Sequence, residues 1–190
     1  MTSTLSITPA ATASACAAAA IEKTSEEIIS EKIEYVAYRA LTSIDLSGFE
    51  LERIPKRLAK SAPWIEEISL GNNKFDSFPE TLHKFPLLRW VDLKNNVIKS
   101  IANDFFSGSR VSLIDLSGNQ LTEIDLVDCD FLSTLNLSNN PIEKISDKLL
   151  HKNSLTIILS PSEYTSGIIK DLAAREKIGL EAATIITDST

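Results

Sequence analysis

Residues 111–124, VSLIDLSGNQLTEI, place apolar side chains at offsets 0, 3, 5, 10 and 13 and an asparagine at offset 8. An amphipathic helix repeats its apolar positions about every 3.6 residues, and a half-buried strand alternates. This spacing satisfies neither over its full length. It predicts a composite unit: a short strand over residues 113–117 with Ile114 and Leu116 inward, a turn at the asparagine, and a returning arc that brings Leu121 and Ile124 back to the core.

The unit recurs. Leu41, Ile44, Leu46, Leu51 and Ile54 make one copy, and Ile65, Ile68, Leu70, Phe75 and Phe78 the next. Leu88, Val91, Leu93, Ile98 and Ile101 precede the copy quoted above, and Leu132, Leu135, Leu137, Ile142 and Ile145 follow it. Successive starts lie 24, 23, 23 and 21 residues apart. Asn73, Asn96, Asn119 and Asn140 occupy the asparagine offset, and Phe49 stands there in the first copy. A degenerate sixth copy runs from Ser154 through Ile157 and Leu159. After each core pattern comes a four-residue step (Ile54 to Leu58, Phe78 to Leu82, Ile101 to Phe105, Ile145 to Leu149) that suits a turn of helix on the convex side. The shorter fourth copy predicts a more extended arc over residues 125–130.

With L-x-x-L-x-L-x-x-N-x-L repeated five times over residues 41–160, the chain resembles the leucine-rich repeat family. The resemblance implies an α/β solenoid, or horseshoe, with a parallel sheet on its concave face. It also implies a non-catalytic module for protein–protein interaction. One repeat cannot bury its own apolar face, so stability must come from stacking, and the stack needs covered ends. A helix over residues 21–40 is predicted to cap the first repeat, with Thr24 and Glu27 forming a capping box and Ile29, Ile33, Val36, Ala37 and Ala40 on one face. Residues 161–190 are predicted to close the other end. They hold a helix from Pro161 through Ile168, Ile169, Leu172 and Ala173, a stop at Gly179, and a closing strand over residues 183–186. Residues 1–20 read as a flexible head rich in Ser, Thr and Ala, too small-sided to bury a core.

Charge and chemistry narrow the function by exclusion. Acids outnumber bases 26 to 19, for a formal charge of -7. That argues against a general nucleic-acid binder, which carries a basic face. The two cysteines, Cys16 and Cys129, form no disulfide framework, so a reducing, cytoplasmic setting is expected. Cys129 is read as a small filler of the fourth arc. The head lacks a basic start and a strongly apolar run, which disfavours a secretory leader despite a lipoprotein-like Ala13-Ser14-Ala15-Cys16. No apolar stretch reaches membrane-span length. The two histidines, His83 and His151, fall on separate arcs with no ligand partners, and both are expected in solvent. Phosphate-binding loops and a nucleophile elbow are missing from the sequence. No cofactor, metal or catalytic residue is expected.

What remains is the concave wall. Residues between the inward leucines must point out from it, in three columns: Ser43, Glu67, Trp90, Leu113 and Thr134; Asp45, Ser69, Asp92, Asp115 and Asn136; Ser47, Gly71, Lys94, Ser117 and Ser138. Glu67, Trp90, Asp92, Lys94, Leu113, Asp115, Thr134 and Asn136 are the candidate partner-binding residues. Trp90 and Leu113 are expected as exposed neighbours, and tryptophan is enriched in binding hot spots. The acids suit a basic segment of another protein. Against this stand plainer readings, a surface aromatic resting on its neighbours and an aspartate that the resemblance makes common at that position. The chain is expected to act as a monomer. Two alternatives remain open: a secreted bacterial effector acting in a host cell, or a regulatory subunit of a signalling enzyme.

Overall fold

The computed structural model describes residues 23–102, 105–152, 154–176 and 183–187. The expectations for the head and for Gly179 lie outside them. Helix α1 spans Ser25–Arg39 and opens with a reciprocal cap. The Glu27 N–H donates to Thr24 Oγ1 at 3.3 Å, and the Thr24 N–H donates to Glu27 Oε2 at 2.8 Å. These bonds satisfy donors that the first turn leaves open. Ile29, Ile33 and Val36 bury the face that covers the first repeat. Ala40 does not join them. It is the exposed C-cap, in the left-handed region at φ 51°, because the chain turns there into the first strand.

Each copy then contributes one strand to a parallel sheet. The strands are β1 (Ser43–Asp45), β2 (Glu67–Ser69), β3 (Trp90–Asp92), β4 (Leu113–Asp115), β6 (Thr134–Asn136) and β8 (Thr156–Leu159). A final strand, β9 (Thr184–Thr187), pairs parallel to β8 and makes the sheet seven-stranded. Ile44, Ile68, Val91, Ile114, Leu135 and Ile157 fall in register, and all are buried. Leu46, Leu70, Leu93, Leu116, Leu137 and Leu159 form a second buried row beside them. Burying such a side chain contributes roughly 1.5–3 kcal/mol, so the rows are the main cohesion between repeats.

The returning arcs differ in conformation. Helix α2 (Lys56–Ser61), a 3₁₀ turn (Glu80–Lys84) and helix α3 (Asp147–Leu150) serve the longer arcs. The shorter fourth arc carries no helix after β5 (Glu123–Ile124), which pairs with β7 (Lys144–Ile145) in a small second sheet. Cys129 is buried in that arc as a filler. Phe78, Phe105 and Phe106 cluster edge-on, with Phe78 and Phe105 ring centroids 4.3 Å apart. Helix α4 (Glu163–Glu176) buries Ile168 and Leu172, while Ile169 and Ala173 are exposed. Four residues from Ile169 to Ala173 stay on one helical face, and here that face is the outer one.

The asparagines form a continuous ladder. Asn96 Nδ2 donates to Leu93 O of its own copy at 2.9 Å and to Leu70 O of the copy before at 3.1 Å. Its Oδ1 accepts the N–H of Phe75 at 3.1 Å. Asn119 does the same with Leu116 O, Leu93 O and the N–H of Ile98. Leu93 O therefore bridges Asn96 and Asn119. Leu70 O likewise bridges Asn73 and Asn96, and Leu116 O bridges Asn119 and Asn140. Backbone groups that the turn removes from the sheet are thus paired across repeats, as buried polar groups require.

Candidate functional site

The concave wall is built by the register of the strands. Glu67 pairs with Trp90, Trp90 with Leu113, and Leu113 with Thr134. Thr156 and Thr184 continue that column. Trp90 and Leu113 are half-buried rather than exposed, while Glu67 is exposed. Each of the apolar pair has an in-register neighbour on both sides at a strand spacing of about 4.8 Å, which accounts for its partial cover.

The second column corrects the sequence reading more strongly. Asp92 was expected to face solvent, yet it is buried, at 5 % exposure. Its Oδ1 accepts the Lys94 N–H at 2.9 Å, and Lys94 Nζ lies 3.5 Å from Oδ2. Gly71 beside it leaves room, since a Cβ at that position would lie 3.3 Å from Asp92 Oδ2. The other members repeat the local bond. Asp45 Oδ1 accepts the Ser47 N–H at 2.9 Å, Asp115 Oδ1 accepts the Ser117 N–H at 2.9 Å, and Asn136 Oδ1 accepts the Ser138 N–H at 3.1 Å. Each is an Asx turn that ends its strand. Asn136 does this without charge, so the local structure needs the oxygen and not the carboxylate. The Ser47 N–H holds the Asp45 carboxyl below its ordinary value, against an opposing effect of burial and with further help from the Ser47 hydroxyl, Lys32 and Lys94.

The wall extends further than the five strands read from sequence. Ile158 and Ile186 pair in register and continue the second column past Asn136. Ile158 is half-buried and Ile186 is 48 % exposed. The sixth copy already marks Ile158 as the residue between Ile157 and Leu159, so carrying the columns one strand on would have found it. A second recurring position precedes each ladder residue and takes positive φ: Gly48, Asn72, Asn95, Gly118 and Asn139. Asparagine and glycine tolerate that conformation best.

Among the described residues, the histidines lie away from the wall. His83 is exposed against Phe105, its ring centroid 4.6 Å away, and His151 is half-buried rather than in solvent. No group of three His, Cys, Asp or Glu side chains among the described residues is placed to hold a metal ion. No helix among them is long and apolar enough to cross a membrane.

Comparison with known proteins agrees with this architecture. Family models described as Leucine rich repeat match residues 39–98, 86–142 and 131–162. Tsukushi of Gallus gallus is 37% identical over 113 residues, which is 56% of this chain and 30% of that protein. An adenylate cyclase of Podospora anserina is 28% identical over 121 residues, 62% of this chain and 6% of that protein. The chain thus spans less than a third of either relative. Among solved structures, a Shigella effector leucine-rich repeat domain superposes with a TM-score of 0.51 at 12% identity, covering 90% of this chain and 92% of that one. The leucine-rich repeat domain of APL1B gives 0.52 at 18% identity, over 70% of this chain and 40% of that one. These likenesses establish the shared fold. With family matches running through six successive strands of the concave sheet, the chain belongs to the leucine-rich repeat family.

Proposed function

We propose that this chain is a non-catalytic binding module that captures a partner protein on its concave wall, with Trp90 and Leu113 at the centre of the contact. The repeat fold suggests a protein–protein interaction module, and the position of this pair carries the rest. The two residues are register partners in the middle of the sheet, both partly exposed, beside the buried row of Val91 and Ile114. Glu67 flanks Trp90 on the N-terminal side and Thr134 flanks Leu113 on the other. An aromatic anchor ringed by polar side chains is the common anatomy of a binding hot spot. Affinity capture from native lysate, comparing wild type with Trp90→Ala/Leu113→Ala, tests this reading. The double variant keeps the wild-type circular dichroism spectrum and loses the captured partner. Capture unchanged by the double substitution overturns the assignment.

A further inference from the structure

The concave wall is chemically polarised along the stack, and the geometry points to a partner segment with the matching polarity. This inference rests on the concave-face reading above and specifies the chemistry of its occupant. At the N-terminal end, β1 to β4 present Asp45, Glu67 and Asp115; Lys94 is engaged by Asp92, and Lys32 of α1 donates to the Asp45 carbonyl at 2.9 Å. The exposed Glu67 carboxylate has no ion-pair partner among the described residues. Beyond Asp115 the wall carries no charge among the described residues. Its outward side chains on β6, β8 and β9 are Thr134, Asn136, Thr156 and Thr184, with Ile158 and Ile186.

Asp45 and Glu67 are exposed acids on adjacent strands, and a cationic segment lying over them is electrostatically complementary. An exposed isoleucine on a wall otherwise lined by small polar side chains offers an aliphatic contact. We infer that the occupant is a single peptide segment of a partner protein. Its Lys or Arg side chains lie over Asp45 and Glu67, its middle packs on Trp90 and Leu113, and its branched aliphatic side chains reach Ile158 and Ile186. Glu67 and Ile158 stand four strand spacings apart, about 19 Å. That separation corresponds to roughly six residues of extended peptide or about thirteen of helix.

Selection of random 16-residue peptides displayed on phage, against the full chain, tests the inference without knowledge of the natural partner. Enriched peptides are expected to carry basic residues at one end and Ile, Leu or Val at the other. Made synthetically and measured by fluorescence anisotropy, they weaken at least tenfold on Glu67→Lys, with a steeper salt dependence in wild type than in the variant. They weaken severalfold on Ile186→Ser and on the milder Ile158→Thr. A photo-reactive group at the aliphatic end labels β8 or β9. Peptides that require Trp90 but ignore Glu67→Lys and Ile186→Ser overturn the polarity and leave the central pair standing. Peptides indifferent to Trp90→Ala and Leu113→Ala overturn the concave-face reading itself. A selection that enriches nothing counts against the inference, since a free segment of this chemistry then does not bind.

Discussion

The hydroxyl oxygen of Tyr164, on the C-terminal helix α4, accepts the backbone N–H of Ile145 in β7 at 2.6 Å. Ile145 is buried, so this contact supplies the partner its amide needs and ties the terminal helix to the returning arc of the fifth repeat. Tyr164→Phe keeps the ring and removes the acceptor. The expected loss is about 1–2 kcal/mol in urea denaturation, the cost of leaving one buried donor unpaired. Burial raises the Tyr164 hydroxyl above its ordinary value, outweighing the favourable Ile145 N–H, and Asp147 adds to the rise. A raised value means that the folded state holds the proton more tightly. The stabilisation is therefore complete below pH about 10 and declines as pH climbs through the folded value. In Tyr164→Phe that alkaline decline is expected to shrink, read by thermal melts at increasing pH.

The asparagine ladder makes a graded prediction. Asn119 sits in its interior, buried, and serves the N–H of Ile98 in the preceding repeat. Replacing it by leucine leaves that donor orphaned, while Leu93 O and Leu116 O keep the other asparagine that each already shares. The expected cost is roughly 2–3 kcal/mol. Asn140 is only half-buried at the end of the ladder, so Asn140→Leu should cost about half as much. Equal losses at the two positions, measured by the shift in urea midpoint at constant m-value, would contradict cooperative bridging along the stack.

Much of this is legible in the sequence, because the repeat forces register. Once Ile114 and Leu116 point inward, Leu113 and Asp115 must point outward, and the same holds one period earlier for Trp90 and Asp92. What periodicity does not carry is how far an outward residue is covered. Asp92 is buried because Lys94 folds back over it and Gly71 leaves space beside it, a coincidence of two neighbouring copies that no single-copy pattern contains. The Asx turns at Asp45, Asp92 and Asp115 were equally hidden, although the neutral Asn136 in the same column was the available clue. Ala40 shows a third limit, since helical spacing puts it on the buried face while the exit of the chain makes it a cap.

Gly118 stands at φ +65°, and a Cβ there would clash with Oδ1 of Asn95. That asparagine is held by donating Nδ2 to Asn72 Oδ1 at 3.1 Å. Gly118→Ala is therefore opposed twice, by its left-handed backbone at about 1–2 kcal/mol and by the contact with the neighbouring repeat. A double-mutant cycle separates the two. In the Asn95→Ala background the contact disappears, and the same glycine substitution should cost about 0.5–1 kcal/mol less. Identical costs in both backgrounds would mean that the backbone conformation alone accounts for the glycine.

The aspartate column separates structural need from charge. Asp115→Asn keeps an oxygen for the Ser117 N–H, as Asn136 does for Ser138, and should change stability by less than about 0.5 kcal/mol. Asp115→Ala removes the acceptor and should cost about 1 kcal/mol. Because the asparagine variant leaves the fold intact, any effect it has on partner binding reports charge alone. Asp45 adds a pH signature. Its folded carboxyl is held below its ordinary value, so its contribution is present above that value and lost as pH falls through the folded one. Asp45→Asn should therefore lose that contribution at neutral pH and flatten the matching part of the acid limb of the melting curve below pH about 4. A neutral-pH loss as large as that of Asp115→Ala would show that the Asp45 charge, and not its turn oxygen, holds the strand end.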